Sequence, residues 1–599
     1  MRPPIIVPTS CLVLTFCAGL ASAAIINVPA DQPFIQAGIN AAVTGDEVVV
    51  APGTYAEIID FAGKAITVRS SGGADVTILD ATSVADPGDG LPVVRFDNGE
   101  GADSVLEGFT LTGGTGDTAT IGSSGHGVGG GVWIYGATPT IRDCVIEHNS
   151  AFLGGGLFVY QGGLTLTGCT VRLNDAPGGS AGAMSSFQCD DGVTVDGCTF
   201  DGNTGQNGAG ILCDFGVGAV VFTDSVIENH AATVDKSALF VGGDQTGTLT
   251  IDGCVFRNNS TPAVSLCSGA LATSANQIAR VTDCLFIGNS GDLGGAVAFR
   301  GLGGSFIANC VFIGNSAGIG GAVYLKAPGL ALLNCSFAAS TATEGSSVLF
   351  AANSMSTTLT NCIFWDDTGV DPISVAGNSG SFLTVNHSIV QGGWSGNGTG
   401  NLDVDPMFTD AANDDLSLQA GSPAIDSGGF DAYHTTYGVG LDAAGGARYI
   451  DDATMPNLGV GTIGYLDLGA YEYGQDEPLI EQQPSSAVGG AFQSVFISVD
   501  APDATSYRWY FNGTPLGDDA HHSGTASPLL IVHVDDSTDQ EGLYHCVVSD
   551  GVRTETSVDA GLVVYTDCTP DCLADLNGDG LLDLQDINEF INSFNAGCP

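Results

Sequence analysis

Ile251-Asp252-Gly253-Cys254-Val255-Phe256-Arg257-Asn258-Asn259 is followed, thirty residues on, by Val281-Thr282-Asp283-Cys284-Leu285-Phe286-Ile287-Gly288-Asn289. Both stretches obey one pattern: an apolar residue, Cys three places later, a large apolar residue two after that, and Asn three further on. The pattern occurs nine times between residues 141 and 367, its Cys position held by Cys144, Cys169, Cys198, Ser225, Cys254, Cys284, Cys310, Cys335 and Cys362. The intervals are 25, 29, 27, 29, 30, 26, 25 and 27 residues. A period of this length marks stacked repeats, each burying its apolar face against its neighbours.

Side chains on a strand alternate between faces, so Cys and the residue two places on share one face. The apolar residue three places before Cys breaks that phase, which requires a bend between them. The residue just before Cys supplies it: Asp143, Gly168, Gly197, Asp224, Gly253, Asp283, Asn309, Asn334 and Asn361. Gly, Asn and Asp enter the left-handed backbone region at least cost. A further strand follows a Gly-rich corner, in Gly129–Tyr135, Gly154–Tyr160, Gly294–Arg300 and Gly320–Lys326. No segment of a rung has helical length or period. Three short strands per turn around an apolar interior predict an all-β parallel β-helix of about 27 residues per coil, with turns about 4.8 Å apart. Five places after Cys runs a second column: Asn149, Asn174, Asn203, His230, Asn259, Asn289, Asn315, Ser340 and Asp367. Amides stacked at a corner can bond along the column and satisfy the turn backbone.

The chain here resembles the right-handed β-helix proteins of the pectate-lyase-like superfamily. Phe34–Ala42 places Ile35, Ile39 and Ala42 on one helical face, suiting a cap over the open end. The run Asp46-Glu47-Val48-Val49-Val50-Ala51-Pro52-Gly53-Thr54-Tyr55 is similar to the opening strand of such proteins. Leu402–Asp426 and Leu466–Tyr471 resemble the closing segments of exported bacterial members. The likeness covers residues 25–475 and implies a fold, not a reaction.

Arg2, an apolar stretch to Leu20 and Ala21-Ser22-Ala23 read as a secretory signal cleaved before Ala24. The mature protein is expected outside the cell or at its surface, with no membrane span. With 14 Lys+Arg against 66 Asp+Glu, it should repel nucleic acid, anionic membranes and, without a bridging cation, acidic glycans. Removing Cys11 and Cys17 of the signal from 17 cysteines leaves an odd number. Thiols stacked on in-register strands have Cβ atoms nearly 5 Å apart, beyond the roughly 3.8 Å of a disulfide, which favours buried free thiols. Pairing of Cys189, Cys213 and Cys267 stays open.

Residues 478–565 have fewer glycines and alternating strands at Gln493–Val499, Ser506–Phe511 and Leu543–Ser549. Trp509, and Tyr544 two residues before Cys546, make this segment similar to an immunoglobulin-like sandwich. Its inter-sheet disulfide is missing, with Val499 in the partner's place. In the tail, Asp575-Leu576-Asn577-Gly578-Asp579-Gly580-Leu581-Leu582-Asp583-Leu584-Gln585-Asp586 fits an EF-hand-type loop. Ca²⁺ is expected on Asp575, Asn577, Asp579, the Leu581 carbonyl, Asp583 and Asp586, with Gly580 at the sharp turn. The loop resembles a dockerin repeat, which implies a protein partner, although a dockerin carries two loops and this chain one. Cys568, Cys572 and Cys598 bracket the loop, and one disulfide among them is expected in so small a unit. The expected order is signal peptide 1–23, β-helix 24–475 (cap and first coil 24–60, closing region 392–475), immunoglobulin-like domain 476–565 and calcium tail 566–599.

Catalytic signatures are sparse. Gly53-Thr54-Tyr55-Ala56-Glu57 fits the GxYxE of pectin methylesterases, and Gly125-His126-Gly127 the GHG of polygalacturonases, but the accompanying motifs are missing. One outward stripe remains three places after Cys: Glu147, Arg172, Asp201, Glu228 and Arg257. An Arg beside carboxylates could serve as a lyase base with Ca²⁺, and alternating charges are equally what cross-strand pairing selects. The expectation is a non-enzymatic exported protein that binds an extracellular polysaccharide or a cell-surface component. The alternative is a polysaccharide lyase or glycoside hydrolase.

Overall fold

Alternation along each rung turns Ile251 inward on one strand, and Cys254 and Phe256 inward on the next, once the chain has bent at Gly253 (φ 62°). This holds at every rung. All nine bend residues are left-handed, with φ between 47° at Asp224 and 62° at Gly253. The computed structural model describes residues 23–565 apart from 86–89, 122–123, 209, 215, 217, 236, 243–246, 263–266, 274–277, 301–303, 327–328, 352–355, 366–370, 377–381, 432, 434–436, 438–440, 463, 475–479, 481, 491–492, 502–503, 536–538 and 550–553. Two units separate at Tyr473/Gly474.

In the first unit three parallel sheets wind into a β-helix. Among the described residues, the pre-bend sheet has 14 strands, from Ile25–Val28 to Leu383–Asn386. The post-bend sheet likewise has 13, from Gly53–Tyr55 to Ile389–Val390, and the corner sheet 12, from Ile59–Asp60 to Ile373–Val375. Corner strands are shorter than the sequence pattern implies: Val132–Tyr135, Leu157–Tyr160, Val297–Phe299 and Val323–Leu325. The glycines before them form the corner itself, where a Cβ on Gly155 would lie 2.4 Å from the Asp175 carbonyl oxygen.

Rungs also lie beyond the nine. Leu106, Gly108, Phe109 and Leu111 repeat the pattern with Phe at the Cys position, Leu106 pairing with Ile141 and Leu111 with Ile146. Val385, His387, Ser388 and Val390 repeat it again, Val385 pairing with Leu359 and Val390 with Phe364. The Cys column is buried and its thiols are free, as are those of Cys189, Cys213 and Cys546. Burial raises the thiol pKa of Cys169, Cys310 and Cys362 well above the usual range, and pushes Cys189 and Cys213 up to about 12. Ser225 and Ser388 fit the column because their hydroxyls accept the amides of Cys198 (3.0 Å) and Cys362 (3.1 Å). Beside the thiols Phe256, Phe286, Phe312, Phe337 and Phe364 stack with ring centroids 4.5–4.9 Å apart.

The Asn column forms a bonding ladder on either side of His230. Asn289 Oδ1 accepts from the Asn259 amide (3.1 Å) and Asn259 Nδ2 (3.0 Å). Its own Nδ2 donates to the Phe256 carbonyl (2.9 Å) and Asn315 Oδ1 (3.1 Å). His230 interrupts this column. Its Nδ1 lies 3.2 Å from the Asn203 carbonyl, but Nε2 is buried without a partner. Burial lowers its pKa from 6.5 to about 4. The unfolded chain therefore takes up the proton first, so stability is intact above pH 6.5 and falls as pH drops toward 4, by on the order of 3 kcal/mol. His230→Asn should flatten this dependence in denaturant titrations at neutral and acid pH. An unchanged slope in the variant would assign the acid loss to other groups.

The helix Ile35–Ala41 covers the N-terminal end, burying Ile35, Gly38 and Ile39. Glu57 accepts the Ile35 and Gln36 amides at 3.1 Å, and Lys64 Nζ donates to the carbonyls of Ile39 (2.6 Å), Asn40 (2.9 Å) and Ala42 (2.7 Å). A carboxylate thus meets the positive helix end and an ammonium the negative one.

In the second unit, antiparallel pairings join Ser506–Phe511 to Gly542–Ser549 and Ser494–Ser498 to Leu529–His533. Trp509 is fully buried opposite Cys546, and its Nε1 donates to the Ser527 carbonyl (2.9 Å). Tyr544 Oη donates to the Gln540 carbonyl four residues upstream (2.8 Å). Val499 joins the same core.

Candidate functional site

Cross-strand register stacks Glu147, Arg172, Asp201, Glu228 and Arg257 in one outward column. Arg172 Nε lies 2.7 Å from Glu147, Arg257 Nη1 lies 3.5 Å from Glu228, and Asp201 accepts from Asn229 Nδ2 at 2.8 Å. The pre-bend sheet makes similar pairs, Arg142 with Glu107 at 2.6 Å and Arg69 with Glu47. Each arginine of the stripe is thus bound to the rung beside it, an arrangement suited to cross-strand pairing.

Further along, the same outward column turns apolar at Ile313 and Ala338, with Val311 and Ile363 beside it. The chain between Phe408 and Ala470 packs over these positions. This closing segment also covers the bends, and there the bend residue becomes Asn. Asn309 Nδ2 donates to Tyr433 Oη (3.0 Å) and the Leu441 carbonyl (2.9 Å), and Asn334 Nδ2 to the Asp467 carbonyl (3.1 Å). Asn361 both donates to the Gly429 carbonyl (3.1 Å) and accepts its amide (2.7 Å). An exception beneath the same cover is Asp283, whose carboxylate accepts from Tyr437 Oη, and burial pushes its pKa up to about 6.

The outward face of the corner sheet carries a different feature. Val132–Tyr135, Leu157–Tyr160 and Met184–Phe187 pair in register, turning Val132, Ile134, Leu157, Val159 and Met184 into the core. The alternate positions put Trp133, Tyr135, Phe158, Tyr160 and Phe187 outside the core. Trp133, Tyr135, Phe158 and Tyr160 form a two-by-two array of near-parallel rings. Centroids are 5.9 Å apart for Trp133–Tyr135, 5.5 Å for Trp133–Phe158, 5.8 Å for Tyr135–Tyr160 and 6.4 Å for Phe158–Tyr160, with interplanar angles of 13–24°. Phe187 continues the array, 5.8 Å from Phe158. Trp133 and Phe158 are buried as its base, Tyr135 is 43% exposed, and Tyr160 and Phe187 are half-buried. Just beyond the strands, exposed Gln161 and Gln188 occupy left-handed positions, and Gln161 Nε2 donates to Gln188 Oε1 (3.0 Å). Asp214 follows Phe187 in register, and Arg95 stands opposite Trp133. Apolar rings edged by amides and carboxylates can hold a ligand that has both apolar faces and hydroxyls.

Sequence reasoning missed this patch, although its signal was present as aromatic residues at alternate positions of consecutive corner strands. The backbone of Gly125-His126-Gly127 lies in an antiparallel hairpin, Ser124–Val128 against Asp117–Ile121. The expected calcium ligands Asp575, Asn577, Asp579, Leu581, Asp583 and Asp586 lie outside the described residues, as does Asp367. Among the described residues no helix is long and apolar enough to cross a membrane.

No curated protein matches the chain. Among solved structures, titin Ig tandem domains match at 17% identity over 14% of this chain and 46% of that one, with a TM-score of 0.13. Titin M4 in a trigonal form matches at 23% identity over 14% and 93%, and murine CEACAM1b at 17% over 17% and 50%, each with a TM-score of 0.13. The chain thus spans about half the length of the titin tandem (46%). Residues 107–259 and 233–402 match the family model described as the right handed beta helix region, and the repeats of this chain form a right-handed parallel β-helix.

Proposed function

We propose that this chain is an exported, non-enzymatic binding protein whose solenoid holds neutral glycan chains on the aromatic patch of its corner sheet. The patch is the observation that carries the reading. Pyranose rings present apolar C–H faces and a rim of hydroxyls, which match near-parallel rings flanked by Gln161 and Gln188. Rungs repeat every 4.8 Å or so, comparable to the advance of one sugar along an extended glycan, so a chain lying along the axis meets a ring at each rung. The formal net charge of −52 disfavours anionic glycans. The second unit reads as an immunoglobulin-like spacer, supported by buried Trp509 and the Tyr544-to-Gln540 bond. The tail reads as a single dockerin-like loop that folds around Ca²⁺ and offers a protein-docking surface. Its seven acidic residues and lack of Lys or Arg from Thr566 to Pro599 repel one another until a cation binds.

Affinity electrophoresis through gels containing neutral glucan, xylan or mannan tests the glycan reading. Migration of the full-length protein should be retarded by at least one of them. Tyr135→Ala with Tyr160→Ala should weaken that binding at least tenfold, since removing an anchoring aromatic side chain commonly costs about 2 kcal/mol. Equal retardation of the double variant would remove the patch from the account.

A further inference from the structure

The segment that closes the solenoid buries four carboxylates, Asp426, Asp442, Asp467 and Glu472, none more than 3% exposed. The basic side chain buried with them is Arg448. Backbone amides satisfy three of the four. Asp442 accepts the amides of Ala444 and Gly446 at 2.9 Å and of Glu472 at 3.0 Å. Asp467 accepts those of Asp426 (2.7 Å) and Tyr473 (2.6 Å), and Glu472 those of Ile450 (3.0 Å) and Asp467 (3.2 Å).

Asp426 breaks the pattern. Both its carboxylate oxygens are sealed from solvent and accept no well-formed hydrogen bond, although the Asp452 amide approaches them. Its backbone is left-handed (φ 52°) and pinned, because the amides of Leu458 and Gly459 donate to its carbonyl at 2.8 and 2.7 Å. The loop supplying those amides carries exposed Asp451 and half-exposed Asp452, close enough for their charges to act on Asp426. An ionised carboxylate buried without a partner is too costly to persist. A buried water would satisfy hydrogen bonds but would add no positive charge beside the acidic groups. A hard divalent cation answers both needs, because it bonds carboxylate oxygen directly and offsets the charge.

We propose that Asp426, with Asp451 and Asp452, binds a divalent cation that staples the loop of residues 451–459 onto the closing segment. Ca²⁺ is the ion that fits if the protein is exported, and that choice rests on the reading above. In the structure no three ligating side chains converge among the described residues, so the ion must draw the loop carboxylates inward onto Asp426.

The test uses the full chain carrying Asp575→Ala and Asp579→Ala, so that the tail contributes no ion. After chelator treatment, calorimetry should find one equivalent of Ca²⁺, and Ca²⁺ should raise the unfolding temperature of the solenoid. Adding Asp451→Asn and Asp452→Asn, which keep a side-chain oxygen for the Thr454 amide and hydroxyl that Asp452 accepts, should abolish both effects, and Asp426→Asn should do the same. Absence of Ca²⁺ binding in the tail variant, or unchanged affinity after the loop substitutions, overturns the proposal. The unsubstituted chain separates the two sites: two equivalents support both, whereas one equivalent that survives in the tail variant places the ion at Asp426 and not in the tail.

Discussion

Cys284→Asp leaves no cooperatively folded solenoid at neutral pH, whereas Cys284→Ala costs only about 1–2 kcal/mol, near the lower end of the range for truncating a buried apolar side chain. The difference follows from the surroundings of the thiol. Cys284 is 2% exposed, and its Sγ lies 2.9 Å from the Thr282 carbonyl and 3.7 Å from that of Ile251. These carbonyls accept the weak S–H donor and would repel a carboxylate. Above and below stand more thiols and stacked phenylalanines, none able to pair an anion. An uncompensated buried charge costs several kcal/mol, and in a stacked array it also cuts the contact between neighbouring rungs. Denaturant titration followed by circular dichroism compares the two variants. Equal stability would move the Cys column out of the core.

The second large effect is expected at Asn289. Asn289→Ala removes two donations to Phe256 and Asn315 and two acceptances from Asn259. Buried partners left unsatisfied cost about 1–3 kcal/mol each, and partial relaxation should bring the total to about 3–5 kcal/mol. Asn289→Ser should fall between, because Ser340 occupies this column in the native chain and is fully buried. The same denaturant titrations check the order Asn, Ser, Ala. An Ala variant as stable as the native protein would mean the ladder is dispensable.

These two columns were legible in the sequence because in-register stacking demands the same residue type at every rung, and the bend before Cys admits few residues other than Gly, Asn and Asp. The pattern faded where other chemistry met the same demand. Phe109 and Ser388 fill the Cys position in outer rungs, and His387 takes the bend with φ 43°. A second left-handed position, just before the Asn column, is held at some rungs by His148, Leu173 and Ala339, types that give no local signal. The closing segment itself was legible, but where it packs left only an indirect trace, the change from Gly or Asp to Asn at Asn309, Asn334 and Asn361, because contacts more than 60 residues apart have no period. The aromatic patch was hidden for a related reason. Outward residues are free of the constraints that build the solenoid, so function can be written there without disturbing the repeat.

The charged stripe fits two readings in the sequence, catalysis and cross-strand pairing. In the structure Glu147, Arg172, Asp201, Glu228 and Arg257 sit in neighbouring-rung contacts on a strand face. Exposed pairs of this kind contribute about 0–1 kcal/mol each.

Binding and turnover can be separated in one vessel. Purified full-length protein is mixed with insoluble neutral glucan, xylan or mannan in the presence of Ca²⁺, and bound protein and soluble sugar are followed together. Depletion of the protein onto at least one glycan, with no new reducing ends and no unsaturated ends absorbing in the ultraviolet, is the predicted result. New chain ends that accumulate with time and vanish when Glu147 or Arg172 is replaced would contradict it, and would make the charged stripe the site of a lyase or hydrolase.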